Sequence, residues 1–270
     1  HGVPPFDKIL PEHFMPAFER GMSLHEAEID AITSNKDEAT FENTILAYDN
    51  AGQMLAQTEL VFGMLCAAET NDRMQALQEQ AMPLLAAHRD KIRLDDKLFV
   101  RVKEVYDRRA ALGLDAEQMR LLQKTYDSFV RAGALLDAEQ KARLKEINGQ
   151  LSLTAVKFGN NILAENNNFV LELKSDELDG LPAGIRDAAR EKAQQMGKGD
   201  KWVFTLHKPS LIPLLTYSTR RDLREKIYKA YLNRCNNGDE YDNKQLINDF
   251  IRLRTEKAHL LGYPSYAAYV

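Results

Sequence analysis

The apolar positions of this 270-residue chain recur mostly at three- and four-residue intervals, the spacing that lines one face of an α-helix. After Thr40, whose hydroxyl can cap a helix, Phe41, Ile45, Tyr48, Leu55 and Phe62 follow at that spacing through a stretch without proline. Asp95 or Asp96 heads the next run, with Leu98, Val102, Val105 and Tyr106 on one face, and Gly113 stops it. Asp115 and Gln118 read as a capping box, a reciprocal pair of side-chain to backbone bonds, and Met119, Leu122, Tyr126 and Phe129 form the stripe behind it. The same signal at Asp137 and Gln140 heads a long helix whose buried face is Leu144, Ile147, Leu151, Ala155, Phe158 and Ile162. Asp242 with Gln245 opens another, ending at Gly262. No fixed-period repeat joins these runs, so they read as separate helices of a bundle.

One region changes period. In "NFVLELK" (168–174), Phe169, Leu171 and Leu173 alternate with Val170, Glu172 and Lys174, and in "KWVFTLHK" (201–208) Trp202, Phe204 and Leu206 alternate likewise. Period two with aromatic and branched residues predicts strands. Between them an alanine-rich segment, roughly 183–196, reads as helix and closes at "GKGD". The expectation is a small sheet of two or three strands near 168–208 appended to a mainly α body, with parallel or antiparallel pairing left open. No Pro/Gly/Ser linker separates the chain into halves, and "NRCNNGDEYDN" (233–243) reads as a loop between helices.

Hydrophobic residues make up 44% and charged residues 28%, a globular composition with no apolar run long enough to span a bilayer. A net charge of −4 gives no general attraction to nucleic acid or anionic lipid. Cys66 and Cys235 lie far apart and outside any C-x-x-C, which argues against a disulfide framework and a cysteine metal site. The chain opens on His1 rather than Met, so the expectation is that something upstream was removed, a signal peptide or a trimmed stretch.

Candidate chemistry begins at His25-Glu26-Ala27-Glu28-Ile29. Zinc peptidases of one large class carry H-E-x-x-H on a helix, with two imidazoles one turn apart on the metal. Here the fifth position is Ile29, Glu26 and Glu28 project on different faces, and Met22 and Ile29 suit packing. Zinc needs three or four converging ligands, and this stretch offers one good one. His1, His13, His88, His207 and His259 form no pair at helical spacing, and His88 with Asp90 in "LLAAHRDKI" reads as part of a solvated helix face. No G-x-S-x-G is present, and "MGKGDK" lacks phosphate-loop spacing. In "LTYSTRRDLREKIYKAYLNR" (215–234), Arg220, Arg221, Arg224, Lys226, Lys229 and Arg234 mingle with Tyr217, Tyr228 and Tyr231. Asp222 and Glu225 interrupt that basic run, and Leu223, Ile227 and Ala230 give it an ordinary buried stripe. An arginine there still has the bidentate shape that meets a carboxylate.

Six stretches, taken in order, resemble one family: "PPFDKILPEHFMPAFERGM" (4–22), "TFENTILAYDNAG" (40–52), "YDSFVRAGALLDAEQKARLKEIN" (126–148), "WVFTLHKPSLIPLL" (202–215), "LREKIYKAYLNR" (223–234) and "IRLRTEKAHLLGYPSYAAYV" (251–270). They are similar to the amino-terminal part of peptidyl-dipeptidases, or dipeptidyl carboxypeptidases, of the thimet-oligopeptidase family. "FENTI" and the "AG" after it favour that branch over oligopeptidase A-like endopeptidases, the alternative within the family; a stand-alone helical peptide-binding or scaffold module is the alternative outside it. The resemblance implies a two-lobed, largely helical, zincin-like peptidase, with this chain as the amino-terminal lobe and one wall of a deep substrate channel. It implies zinc as cofactor of the full-length enzyme, short unfolded peptides as substrates, no nucleic-acid or membrane partner, a monomer, and a cytoplasmic location, periplasmic if a signal peptide preceded His1. The family's H-E-x-x-H and its third, glutamate ligand fall beyond the point matching Val270. No residue here is therefore assigned a catalytic, cofactor-binding or metal-ligating role, and the chain alone is expected to be inactive and to bind no zinc. Arg220, Arg221 and Arg224 are the candidates for lining the channel. One turn of helix at "YAAYV" is marginal in water, which reads as a chain cut short.

Overall fold

The computed structural model describes residues 2–270 and is mainly helical. In order along the chain run α1 (Phe14–Thr33), a π-helical turn (Phe41–Leu46) continuing into α2 (Ala47–Asn50), α3 (Gln53–Ala68), α4 (Asp72–Arg93), α5 (Asp96–Asp107), α6 (Ala116–Ala132) and α7 (Ala138–Asn168). Then follow β1 (Leu171–Leu173), α8 (Ala183–Gln195), β2 (Trp202–Phe204), α9 (Lys208–Tyr217), α10 (Arg221–Leu232), α11 (Lys244–Leu260) and α12 (Tyr266–Tyr269). Two compact units result: residues up to Val156 with Phe250–Val270, and Lys157–Asp249. Both divisions fall inside helices, α7 and α11, rather than at a linker.

The first unit starts from its caps. Asp95 accepts from the Leu98 amide at 2.8 Å and begins α5. Asp115 and Gln118 exchange bonds of 2.8 and 3.1 Å as the capping-box pattern requires, and Asp137 and Gln140 repeat it at 2.8 and 3.2 Å. Their stripes meet: Ile29, Ile45, Leu98, Val102, Val105, Leu122 and Phe129 form one core, with Tyr106 and Tyr126 stacked at 3.8 Å on its edge. A second core joins α1, α3 and α4 through Phe14, Phe18, Phe62, Met74 and Leu85. The Phe18 and Phe62 rings pack edge to face at 5.3 Å, a preferred aromatic geometry.

The run after Thr40 is broken where a single helix was expected. Thr40 does cap it, accepting from the Asn43 amide at 3.1 Å. The chain then turns at Ala51–Gly52, Gly52 adopting φ +75°, and α3 starts afresh. Helical spacing persists across the break, so periodicity alone does not reveal it. α5 likewise ends at Asp107, before Gly113. α11 begins at Lys244 without a capping box from Gln245: Asp242 accepts from the Lys244 amide at 2.9 Å, and the Asn243 side chain is engaged elsewhere.

In the second unit the sheet has two strands, antiparallel, with Leu171 opposite Phe204 and Leu173 opposite Trp202. Leu171, Leu173, Phe204 and Leu206 are buried together with Ala189 of α8, Leu211 and Leu214 of α9, and Leu223 and Ile227 of α10. Along α7 the expected face holds at Leu144 and Ile147, both fully buried, but Ala155 is exposed and Val156 and Asn161 are buried instead. Asn161 donates to the Asn243 side chain at 2.8 Å, and Asn243 donates to the Phe158 carbonyl at 3.2 Å. That buried amide ladder, invisible to an apolar pattern, sets the helix face there.

Candidate functional site

The near-motif His25-Glu26 lies on α1 and meets α4, 63 residues away. His25 Nδ1 and His88 Nε2 are 3.0 Å apart, with ring centroids at 5.1 Å. His88 is buried, which corrects its reading as a solvated residue: its turn of α4 faces α1 rather than water. Its other nitrogen, Nδ1, has no hydrogen-bond partner and points toward Glu26 Oε1 at 3.5 Å. The second oxygen of Glu26 takes the Lys91 ammonium at 2.8 Å. That contact holds the Glu26 carboxyl below its usual range. Burial pushes both imidazoles below theirs, helped at His25 by the charge of His88 and opposed at His88 by Glu26. Glu28 points elsewhere, as its helical position requires, and accepts from the Gly52 amide at 2.7 Å.

Zinc, the metal implied by the resemblance, does not fit these residues. Two imidazole nitrogens converge, while Glu26 stands on the far side of His88. Among the described residues no three His, Cys, Asp or Glu side chains come together as a metal site would require. His13, His207 and His259 are exposed and separate, and His1 lies outside the described residues. Cys235 is buried, and its thiol is pushed up to about 11 by burial with Glu165 beside it, so it is not a ready nucleophile.

The arginines of the basic stretch are partly committed. Arg220 clasps Asp222 with two bonds of 2.9 and 2.7 Å and lies 3.9 Å from Glu177. Arg224 donates to the Ser218 carbonyl, while Arg221 is exposed. Arg234 stacks on Tyr231 at 3.8 Å and donates to Asn166 at 3.0 Å. Lys229 pairs with Glu225 one turn away at 2.6 Å.

Two groupings escaped the sequence. Asn43, inside "FENTI", accepts from the Thr40 amide, the Thr44 hydroxyl and Arg101 at 2.8, 2.8 and 3.1 Å, and donates to the Glu38 carbonyl at 2.9 Å. Arg101, almost wholly buried, also donates to the carbonyls of Asn35 and Asp37. Asp90, read as solvated, is instead half-buried and accepts both bonds from Asn148, at 2.8 and 3.0 Å. Asn148 in turn accepts from Lys257 at 2.7 Å. Burial raises the Asp90 carboxyl and lowers the Lys257 ammonium. Only the local part, an asparagine three residues after a threonine, carried any sequence signal.

These arrangements are structural in kind, and sequence comparison supplies the context. Residues 214–270 match Peptidase family M3. The chain is 37% identical over 268 residues to "Dipeptidyl carboxypeptidase" of Escherichia coli (strain K12), an alignment covering 99% of this chain and 39% of that protein. Along this length the chain is similar to the corresponding part of peptidase family M3 proteins. Its relatives include "Dipeptidyl carboxypeptidase" of Salmonella typhimurium, 35% identical over 99% of this chain and 39% of that protein. "Oligopeptidase A" of Escherichia coli is 26% identical over 98% of this chain and 40% of that protein. The chain therefore spans about two fifths of the length of these relatives. Among the described residues no helix is long and apolar enough to cross a membrane.

Proposed function

We infer that this chain is the substrate-channel lobe of a zinc metallopeptidase that releases dipeptides from the C-termini of short peptides. The observation that carries the reading is identity of 35–37% to two dipeptidyl carboxypeptidases along 99% of the chain, against 26% to oligopeptidase A. On this reading the metal, its ligands and the general base belong to residues outside these 270. What this chain contributes is a wall: helices fixed by capping boxes and three packed cores exclude folded chains and hold an extended peptide in place. Positioning of that kind removes much of the entropic cost of bringing a peptide bond to a reacting group. Arg220, Arg221 and Arg224 remain the proposed contacts to the peptide, and Arg221 is the exposed member, whereas Arg220 would have to give up its bonds to Asp222 and Arg224 its bond to the Ser218 carbonyl.

A blocked tripeptide and a peptide with an amidated C-terminus, offered with zinc to the whole protein and to the 270-residue chain, test the reading. The whole protein should release the C-terminal dipeptide from the first, lose that activity on chelation, and spare the second. The chain alone should cleave neither. Internal cleavage of the amidated peptide would transfer the assignment to the oligopeptidase A branch, and dipeptide release by the 270 residues alone would overturn it.

A further inference from the structure

The contact between His25 and His88 has room for one hydrogen. With both imidazoles neutral, a single N–H fills the 3.0 Å gap between Nδ1 of His25 and Nε2 of His88. One added proton is also accommodated. His88 then carries hydrogens on both nitrogens, donating Nε2–H to His25 and presenting Nδ1–H to Glu26, whose carboxylate lies 3.5 Å away. The buried and otherwise unpartnered Nδ1 of His88 thereby gains its partner. A second proton has no place: two N–H groups would face each other, and two cations would sit at hydrogen-bond distance in a partly buried contact.

The surrounding charges do not relieve that conflict. On α1, Glu26 is shared with Lys91 and Glu28 is turned to the Gly52 amide. On α3, Glu59 is held by Arg89 of α4 at 2.5 Å. Arg89 and Lys91 add positive charge on the α4 side. Gly52 lies against one side of the His25 ring, where a Cβ would stand 3.0 Å from two ring atoms.

We propose that His25, His88 and Glu26 form a one-proton device joining α1 to α4, in which the folded unit accepts a single proton and a second one opens the contact. The depressed titration of both imidazoles agrees in direction. The sign follows: the histidines are more easily charged unfolded than folded, so the contribution is present above the ordinary imidazole value of about 6.5 and is lost as pH falls below it. The pair would thus loosen this helix contact in mildly acidic surroundings.

Titrating the 270-residue chain from pH 7.5 to 4.5, with ring nitrogen shifts and backbone amide exchange followed together, tests the device. One proton should enter the pair with the native spectrum retained. The next should enter only as amide protection falls across residues 14–33 and 72–93. Over that second step the unfolding constant should rise about tenfold per pH unit more steeply than in His25→Gln, which has only one imidazole to charge. Protonation of both rings with α1 and α4 still protected would overturn the proposal, as would equal pH slopes in the two proteins. Should His25→Gln fail to fold, the protection criterion in the unaltered chain decides alone.

Discussion

Asn43 shows how much one side chain can hold. Its carboxamide gathers the Thr40 amide, the Thr44 hydroxyl, the Arg101 guanidinium and the Glu38 carbonyl at 2.8–3.1 Å, closing the loop before the π-helical turn. Arg101 already has one buried nitrogen without a partner, so it has no spare contact to lose. Asn43→Ala should therefore cost about 2–3 kcal/mol, combining a lost cap with buried donors left unpaired. Urea denaturation reads the change; a cost within 0.5 kcal/mol of zero, the size usual for surface substitutions, would mean that the hub is ornamental. At the same scale lies the correction at His88 and Asp90. Their sequence neighbourhood is polar, and what buries them is α1 on one side and Asn148 on the other. No local pattern carries that information.

At the scale of an element, the turn between α2 and α3 matters most. Gly52 combines a left-handed backbone with close approach of the His25 ring. Gly113 shares the left-handed conformation, φ +64°, but has open space around it. Gly113→Ala should cost about 1–2 kcal/mol from backbone strain alone. Gly52→Ala should cost more than that, because the ring must also move, and it should disturb the ring nitrogen signals of His25 and His88. Thermal unfolding of both variants gives the order, and equal costs would refute the packing account. The capping boxes at Asp115 and Asp137 and the one-turn cap at Ser265 follow from the sequence, since both partners of each bond lie within three residues. The break before α3 does not, since helical spacing of apolar residues runs straight through it.

For the molecule, the first unit is closed by its own distant end. Arg143 holds Glu256 with two bonds of 2.6 and 2.9 Å, Lys257 reaches Asn148, and Arg131 donates to the Tyr269 carbonyl while lying over its ring at 5.1 Å. Residues 250–270 are thereby tied to residues before 157. Asn148→Leu should remove the bridge between the Asp90 carboxylate and the Lys257 ammonium and cost about 2–3 kcal/mol. Amide exchange should rise selectively in 250–270, and unchanged protection there would show that the tie is not made through Asn148. The network is polar and partly buried, so removing one partner leaves the others without their bonds.

Residue order was enough for the helical class, the helix starts marked by a local cap, the strand pair and the family resemblance, because each rests on neighbours along the chain or on identity spread over its length. Folding in three dimensions was needed to settle that the strands run antiparallel, that a near-zinc motif is one half of a histidine pair, and that the final segment folds back onto the first unit. The last two depend on groups 63 to 138 residues apart. Contacts of that range are made by packing between elements, which local propensity cannot encode.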